Sequence, residues 1–208
     1  MLVGKYEVEF IEETHTYLVD GVVLPSITTI ISEMLGKDKE LEAIAPNVLE
    51  EARQRGIRVH KAIEDYEYQG IDTSDDVVEL KNYKYLQERE KFEVLESERI
   101  VILELDGKPV ACGRTDQLIK VNEELGINDI KSTYNLDNEY LYYQTNLYRI
   151  GWKHTYGVEP NRCYSTHLRG AGTRAFTRIL VNDEIPLKLV RDYLEKHKEE
   201  KSCITVVY

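Results

Sequence analysis

Between Arg99 and Thr133 the chain leaves helical spacing for three short β-rich runs in succession. Arg99–Leu105 reads as a strand and Asp106-Gly107 as a turn. Pro109–Val121 reads as a second strand, Asn122–Gly126 as a turn and Ile127–Thr133 as a third strand. Asp-Gly between such runs is a strong hairpin signal. Three consecutive strands commit the middle of the chain to a sheet, and the remaining segments must cover it.

Those segments read as follows. Tyr6–Ile11 and His15–Val19 alternate before Asp20-Gly21, which predicts a small β-meander. Ser26 is a good N-cap for a helix through about Leu35, closed by Gly36. Residues 47–68 carry an intermittent apolar stripe, and 77–96 read as a further helix that includes Phe92. Residues 137–155 return to helical spacing, 162–182 predict a hairpin turning at Gly170-Ala171-Gly172, and Pro186 begins a last helix. The expected fold is α/β (α+β): a central mixed β-sheet flanked by helices, in one domain over 1–208, with 1–36 packed on the core as meander and helix.

With 42% hydrophobic residues in 208, a buried core is expected. No run approaches the roughly 18 apolar residues of a membrane span, and the first residues lack a signal-peptide pattern. Cys112, Cys163 and Cys203 are odd in number and widely spaced, which argues against a disulfide framework or a cysteine metal cluster. A reducing cytoplasm is the expected setting. The net charge of −11 counts against a broadly basic nucleic-acid surface. It leaves open a carboxylate-rich metal site with locally basic surroundings.

The candidate chemistry centres on Gly113-Arg114-Thr115-Asp116 and Asp129-Ile130-Lys131. A hairpin register that sets Asp116 opposite Lys131 also sets Leu118 opposite Asp129. Period-two alternation then puts both aspartates and the lysine on one face. Neighbouring carboxylates repel unless a cation lies between them. Mg²⁺ suits such oxygens, and a nearby lysine suits developing negative charge. Two solvent-facing strand acids paired by Lys131 would give the same tripeptide.

Two helical pairs extend the set. His60 and Glu64 are i and i+4 on one helix face, and an imidazole among carboxylates brings Mn²⁺ in beside Mg²⁺. Gln144 and Tyr148 are also i and i+4, with side chains suited to phosphate and sugar contacts. An ordinary helix surface or core edge would use the same residues. Arg53, Arg55, Arg58 and Lys61 lie near His60, and Arg169, Arg174 and Arg178 lie along the late hairpin. They fit phosphate contacts or simple balancing of surface acids.

The succession Gly56-x-x-x-His60, Gly113-x-x-Asp116, Asp129-x-Lys131 and Gln144-x-x-x-Tyr148 resembles the PD-(D/E)XK nuclease superfamily, in its RecB-like and phage-type exonuclease branch. His15-x-Tyr17, Gly21 and Pro25-Ser26 also look like the start of phage and prophage members. The resemblance spans about residues 10–155. It implies a restriction-endonuclease-like core and metal-dependent hydrolysis of DNA, in recombination or repair. It implies Mg²⁺ or Mn²⁺ held by His60, Asp116, Asp129 and the Ile130 carbonyl, with Lys131 catalytic alongside the aspartates. It places Gln144 and Tyr148 on DNA; Arg55, Arg58, Arg114, Ser132 and Thr133 are further candidate contacts, and Glu64 a supporting residue. The implied partner is linear duplex DNA, with a homo-oligomer and a recombination partner protein compatible with it. Thr115 stands where the superfamily's motif has proline. Internal cutting, and a nuclease fold that binds without cutting, stay open. So does a carboxylate-pair hydrolase of another substrate, such as a glycosidase.

Overall fold

The computed structural model describes residues 1–11, 16–37, 43–170 and 172–204, so the expectation for His15 lies outside the described residues. Strands β1 (Leu2–Val3), β2 (Tyr6–Ile11), β3 (Thr16–Val19) and β4 (Val22–Leu24) form an antiparallel meander. Asp20 and Gly21, at φ 49° and 77°, make the tight β3–β4 turn, with both central residues left-handed as a type I′ hairpin requires. Helix α1 (Ile27–Met34) starts at Ser26, whose Oγ accepts a hydrogen bond from the Thr29 amide at 2.9 Å.

Helices α2 (Pro46–Gln69) and α3 (Val78–Glu90) follow. The second sheet comprises β5 (Phe92–Leu105), β6 (Lys108–Val121), β7 (Glu124–Lys131), β8 (Arg162–Arg169) and β9 (Thr173–Ile179), in that order. Helix α4 (Asn138–Tyr156) supplies the crossover that makes β7 and β8 parallel, and every other pair is antiparallel. Helix α5 (Glu184–Ile204) closes the described chain. The fold is thus mixed α+β, with two sheets and five helices among the described residues. None of these helices is long and apolar enough to cross a membrane.

Helices α1, α4 and α5 pack on one face of the five-stranded sheet, against Val101, Leu103, Ala111, Leu118 and Ile127. Helices α2 and α3 pack on the other, against Phe92, Ile119, Val121, Ile130 and Tyr164. The meander covers Ile102 and Cys112, farther along the β5–β6 hairpin. Its last strand leads directly to the Pro25 carbonyl, which accepts from the Cys112 amide at 3.1 Å.

Two sequence expectations are corrected here. The helix read over 77–96 ends at Glu90, where Lys91 turns left-handed at φ 55°. Phe92 then begins a strand because its ring is buried between strand and helix, stacked on Phe176 and edge-on to Tyr83. The β6–β7 turn is Asn122-Glu123 alone, both left-handed, with Val121 opposite Glu124. The expected register is therefore off by two: Leu118 faces Ile127, not Asp129. A two-residue slip preserves the face of every side chain, which is why the expected face for Asp129 and Lys131 survives it.

The β5–β6 ladder shifts register between Val94 and Glu96 and between Leu103 and Glu104, and its pleat also breaks at Glu98. Ala111 and Leu118 belong to the same core cluster although they are an odd number of residues apart, which uninterrupted period-two alternation forbids. Between them, Arg99 pairs with Thr115 and Ser97 with Gln117, and the intervening Glu98 has φ 53°. Asp116 stands across from Glu98 at this interruption. Beyond Gln117 and Asn128, β6 and β7 also stop pairing with each other. The site lies in the gap so opened.

Candidate metal centre

Asp116 fills the gap in place of ladder bonds. Its Oδ2 accepts from the Ile130 amide at 2.7 Å. The carbonyl of the same residue accepts from His60 Nε2 at 3.1 Å. A strand residue points its N–H and C=O to the same side, so both polar groups of Ile130 that β6 no longer satisfies are met by site side chains. The Ile130 carbonyl, expected as a metal contact, is thus the hydrogen-bond acceptor that orients His60.

Because a carbonyl only accepts, Nε2 carries a proton and Nδ1 is left facing acids. It lies 3.8 Å from Asp116 Oδ1 and 3.8 Å from Glu98 Oε1. Ligand atoms of His60, Glu98 and Asp116 all fall within 4.8 Å of one another. Burial works against a charged imidazole, but Asp116, then Glu98 and Asp129, outweigh it and lift His60 to about 9. Arg114 Nε pairs with Glu98 Oε2 at 2.9 Å.

Asp129 is 1% exposed, and neither carboxylate oxygen receives an aligned hydrogen bond. Lys131 Nζ stands 2.9 Å from its Oδ2 as an ion pair. Burial pushes the Asp129 carboxyl up, against the pull of Lys131, and Asp116 adds to the rise. Burial also opposes the Lys131 charge, yet Asp129 and Asp116 hold its ammonium above the ordinary value. Lys131 donates to Gln144 Oε1 at 3.1 Å, and Gln144 Nε2 approaches the Tyr148 hydroxyl at 3.5 Å. Gln144 and Tyr148 therefore share a helix face, as their spacing predicts, and reach the centre through Lys131.

Gly113 is explained by the same helix. A β-carbon there would stand 2.6 Å from the Tyr148 ring, so glycine lets α4 lie close on β6 at the site. A cleft of about 490 Å³ opens onto the centre, lined among others by Tyr17, His60, Glu64, Glu98, Asp116 and Tyr148. Glu64 thus faces the cleft, with its nearest cation Lys61 at 3.8 Å. Arg55 and Ser132 line a separate groove, Arg58 is exposed, and Thr133 lines a third hollow beside Lys131.

The donor set fits a hard or borderline divalent cation. Imidazole nitrogen and carboxylate oxygens suit Mg²⁺ or Mn²⁺; Asp129 lies outside this group, its buried carboxylate paired only with Lys131. Buried charge without compensation is costly, and a cation is the natural counterpart. Glu98 escaped the sequence reading because it falls between the expected helix and strand. Its signal is a left-handed backbone, which residue type does not encode.

No family model matches this chain, and no curated protein matches it. Among solved structures, one described as the crystal structure of SSO0001 is similar, at 13% identity and a TM-score of 0.43, over 83% of this chain and 75% of that one. Likeness at that level carries no argument about this chain.

Proposed function

We propose that this chain is a divalent-metal-dependent nuclease that hydrolyses DNA phosphodiester bonds, on a restriction-endonuclease-like core. Its expected form is an exonuclease of phage or prophage type, in recombination or repair. The observation that carries the reading is the convergence of His60, Glu98 and Asp116 on one point, next to the buried Asp129–Lys131 pair.

In this reading His60 Nδ1, Glu98, Asp116 and Asp129 hold Mg²⁺ or Mn²⁺. When bound, the cation supplies charge neutralisation at the phosphodiester and a more acidic water. The protein's own part is positional. Ile130 fixes the His60 ring through Nε2, the arrangement by which metal-ligating histidines are commonly oriented. Gln144 holds the Lys131 ammonium beside Asp129, where it can meet negative charge that develops on a phosphoryl oxygen. In this reading Tyr148, a largely buried residue that lines the cleft, contributes a hydroxyl-bearing edge toward the strand.

The test uses linear and closed circular duplex DNA with Mg²⁺, with Mn²⁺ and with chelator. Metal-dependent loss of linear DNA is expected, and Lys131→Ala should slow it by about 10²–10³-fold. Equal loss with both proteins, or loss that survives the chelator, would overturn the nuclease reading. Degradation of the circle would keep the nuclease and replace the exonuclease.

A further inference from the structure

A second groove, of about 370 Å³, lies just past the C-terminal end of β7, next to Lys131. Ser132, which lines it, directly follows Lys131, and Arg55 lies five residues before His60 on α2. Five helical residues span about 7.5 Å, so groove and centre are close neighbours. A β-carbon at Gly56, which lines the cleft, would meet Ser132 Oγ of the groove at 4.0 Å, so the two hollows adjoin there.

Three features give the groove its chemistry. Arg55 Nε is buried there with no hydrogen-bond partner. Tyr134, in the bend after β7, is 69% exposed. The Arg169 guanidinium stacks 3.6 Å from its ring centre. Arginine covers one side of the ring, and the exposure leaves the other available. An unpartnered guanidinium N–H calls for an anionic acceptor, and an open aromatic face next to it calls for a planar ring. A nucleotide in an unpaired strand offers both; a paired base inside a duplex has no free face.

We infer that Arg55, Ser132, Tyr134 and Arg169 form a subsite for one nucleotide of an unpaired DNA strand, the base stacked on Tyr134 and the phosphate held by Arg55. The inference rests on the nuclease reading for its orientation toward the centre, and its test does not. Tyr134 is a positioning residue, since it touches the strand away from the hydrolysed bond.

The experiment measures binding of the full chain to a labelled single-stranded oligonucleotide in chelator, with a blunt duplex of the same sequence as comparison. Stacking on one aromatic side chain typically changes affinity by roughly five- to hundredfold. Tyr134→Ala should therefore weaken single-strand binding at least about fivefold, and Tyr134→Phe should restore it. Arg169→Ala should weaken it in the same direction, and the duplex should respond little to any of the three. Tyr134 is exposed, so its variants are expected to fold, and matching thermal transitions check this. Unchanged affinity in Tyr134→Ala, no binding by the parent protein, or equal losses for strand and duplex would each overturn the subsite. Metal-dependent cleavage by the parent protein would still stand in those cases, which separates this failure from failure of the nuclease reading.

Discussion

A carboxylate buried as deeply as that of Asp129 is protonated, paired or bound to a cation, because its bare charge is costly to bury. Lys131 pairs it only in part, and its raised carboxyl range expresses the remainder. Asp129→Asn removes that charge but leaves Lys131 without its ion-pair partner, so the metal-free chain should lose stability, by about 1–3 kcal/mol, and metal-dependent stabilisation should be abolished. Metal that still stabilises the variant would show that Asp129 is structural. His60 adds a pH dependence whose sign is fixed. Its folded value near 9 lies above the ordinary 6.5, so the folded state binds the extra proton. The stabilisation is complete below about pH 6.5 and is lost as pH rises through 9, at most about 3 kcal/mol. The raised Asp129 acts in the same direction at lower pH. Thermal scans in chelator should therefore show stability declining from pH 6.5 to 9, with the decline reduced in Asp116→Asn. A flat profile would contradict the acid cluster around His60. Asp116, Asp129, Lys131 and His60 are legible as residue types at motif spacing; the structure groups His60 and Asp116 with Glu98, and pairs Asp129 with Lys131. Glu98 is not legible, because what aims it is a φ of 53°.

Elements carried most of their own signals. Asp-Gly and Ser caps marked turns and helix starts that the structure reproduces, and the β-rich middle became β5 to β7. The register of β6 on β7 was misread because Asn122-Glu123 adopts a two-residue left-handed turn without the glycine that usually announces one. Glu123 at φ 66° bears the cost of that conformation. Glu123→Gly should therefore stabilise the chain by about 1 kcal/mol in denaturant unfolding, partly offset by glycine's greater freedom when unfolded. A loss of stability would mean that the Glu123 side chain matters more than its backbone. The pleat break at Glu98 and Asp116 could not be read from hydrophobic pattern, because both residues are polar and sit where two apolar faces exchange. Gly113 depends on the same geometry. Gly113→Ala would push into the Tyr148 ring and should cost about 1–3 kcal/mol, with Gln144 losing its neighbour.

At the scale of the molecule, the net charge of −11 is a sum, and what a DNA strand meets depends on which basic residues remain unpaired. Many do not. Arg53 pairs with Glu50, Arg114 with Glu98, Arg162 with Glu124 and Arg149 with Asp183. Around the cleft and groove, Arg55, Arg58 and Arg169 have no ion pair among the described residues, and Lys131 serves the centre itself. So few cations neutralise few phosphates, and affinity should respond weakly to salt. For three or four contacts to a single strand, log affinity should fall with log salt at a slope of about −2 to −3. Longer-range repulsion from the acidic surface adds to this only at low salt, below about 0.1 M, where screening lengths exceed about 10 Å. Binding titrations in chelator between 50 mM and 300 mM salt measure the slope, and Arg55→Ala should make it shallower by roughly one contact's worth. A slope steeper than about −5 would require a basic surface that this arrangement of charges does not provide, and would place the strand somewhere other than the path from the His60 cleft to the Tyr134 groove.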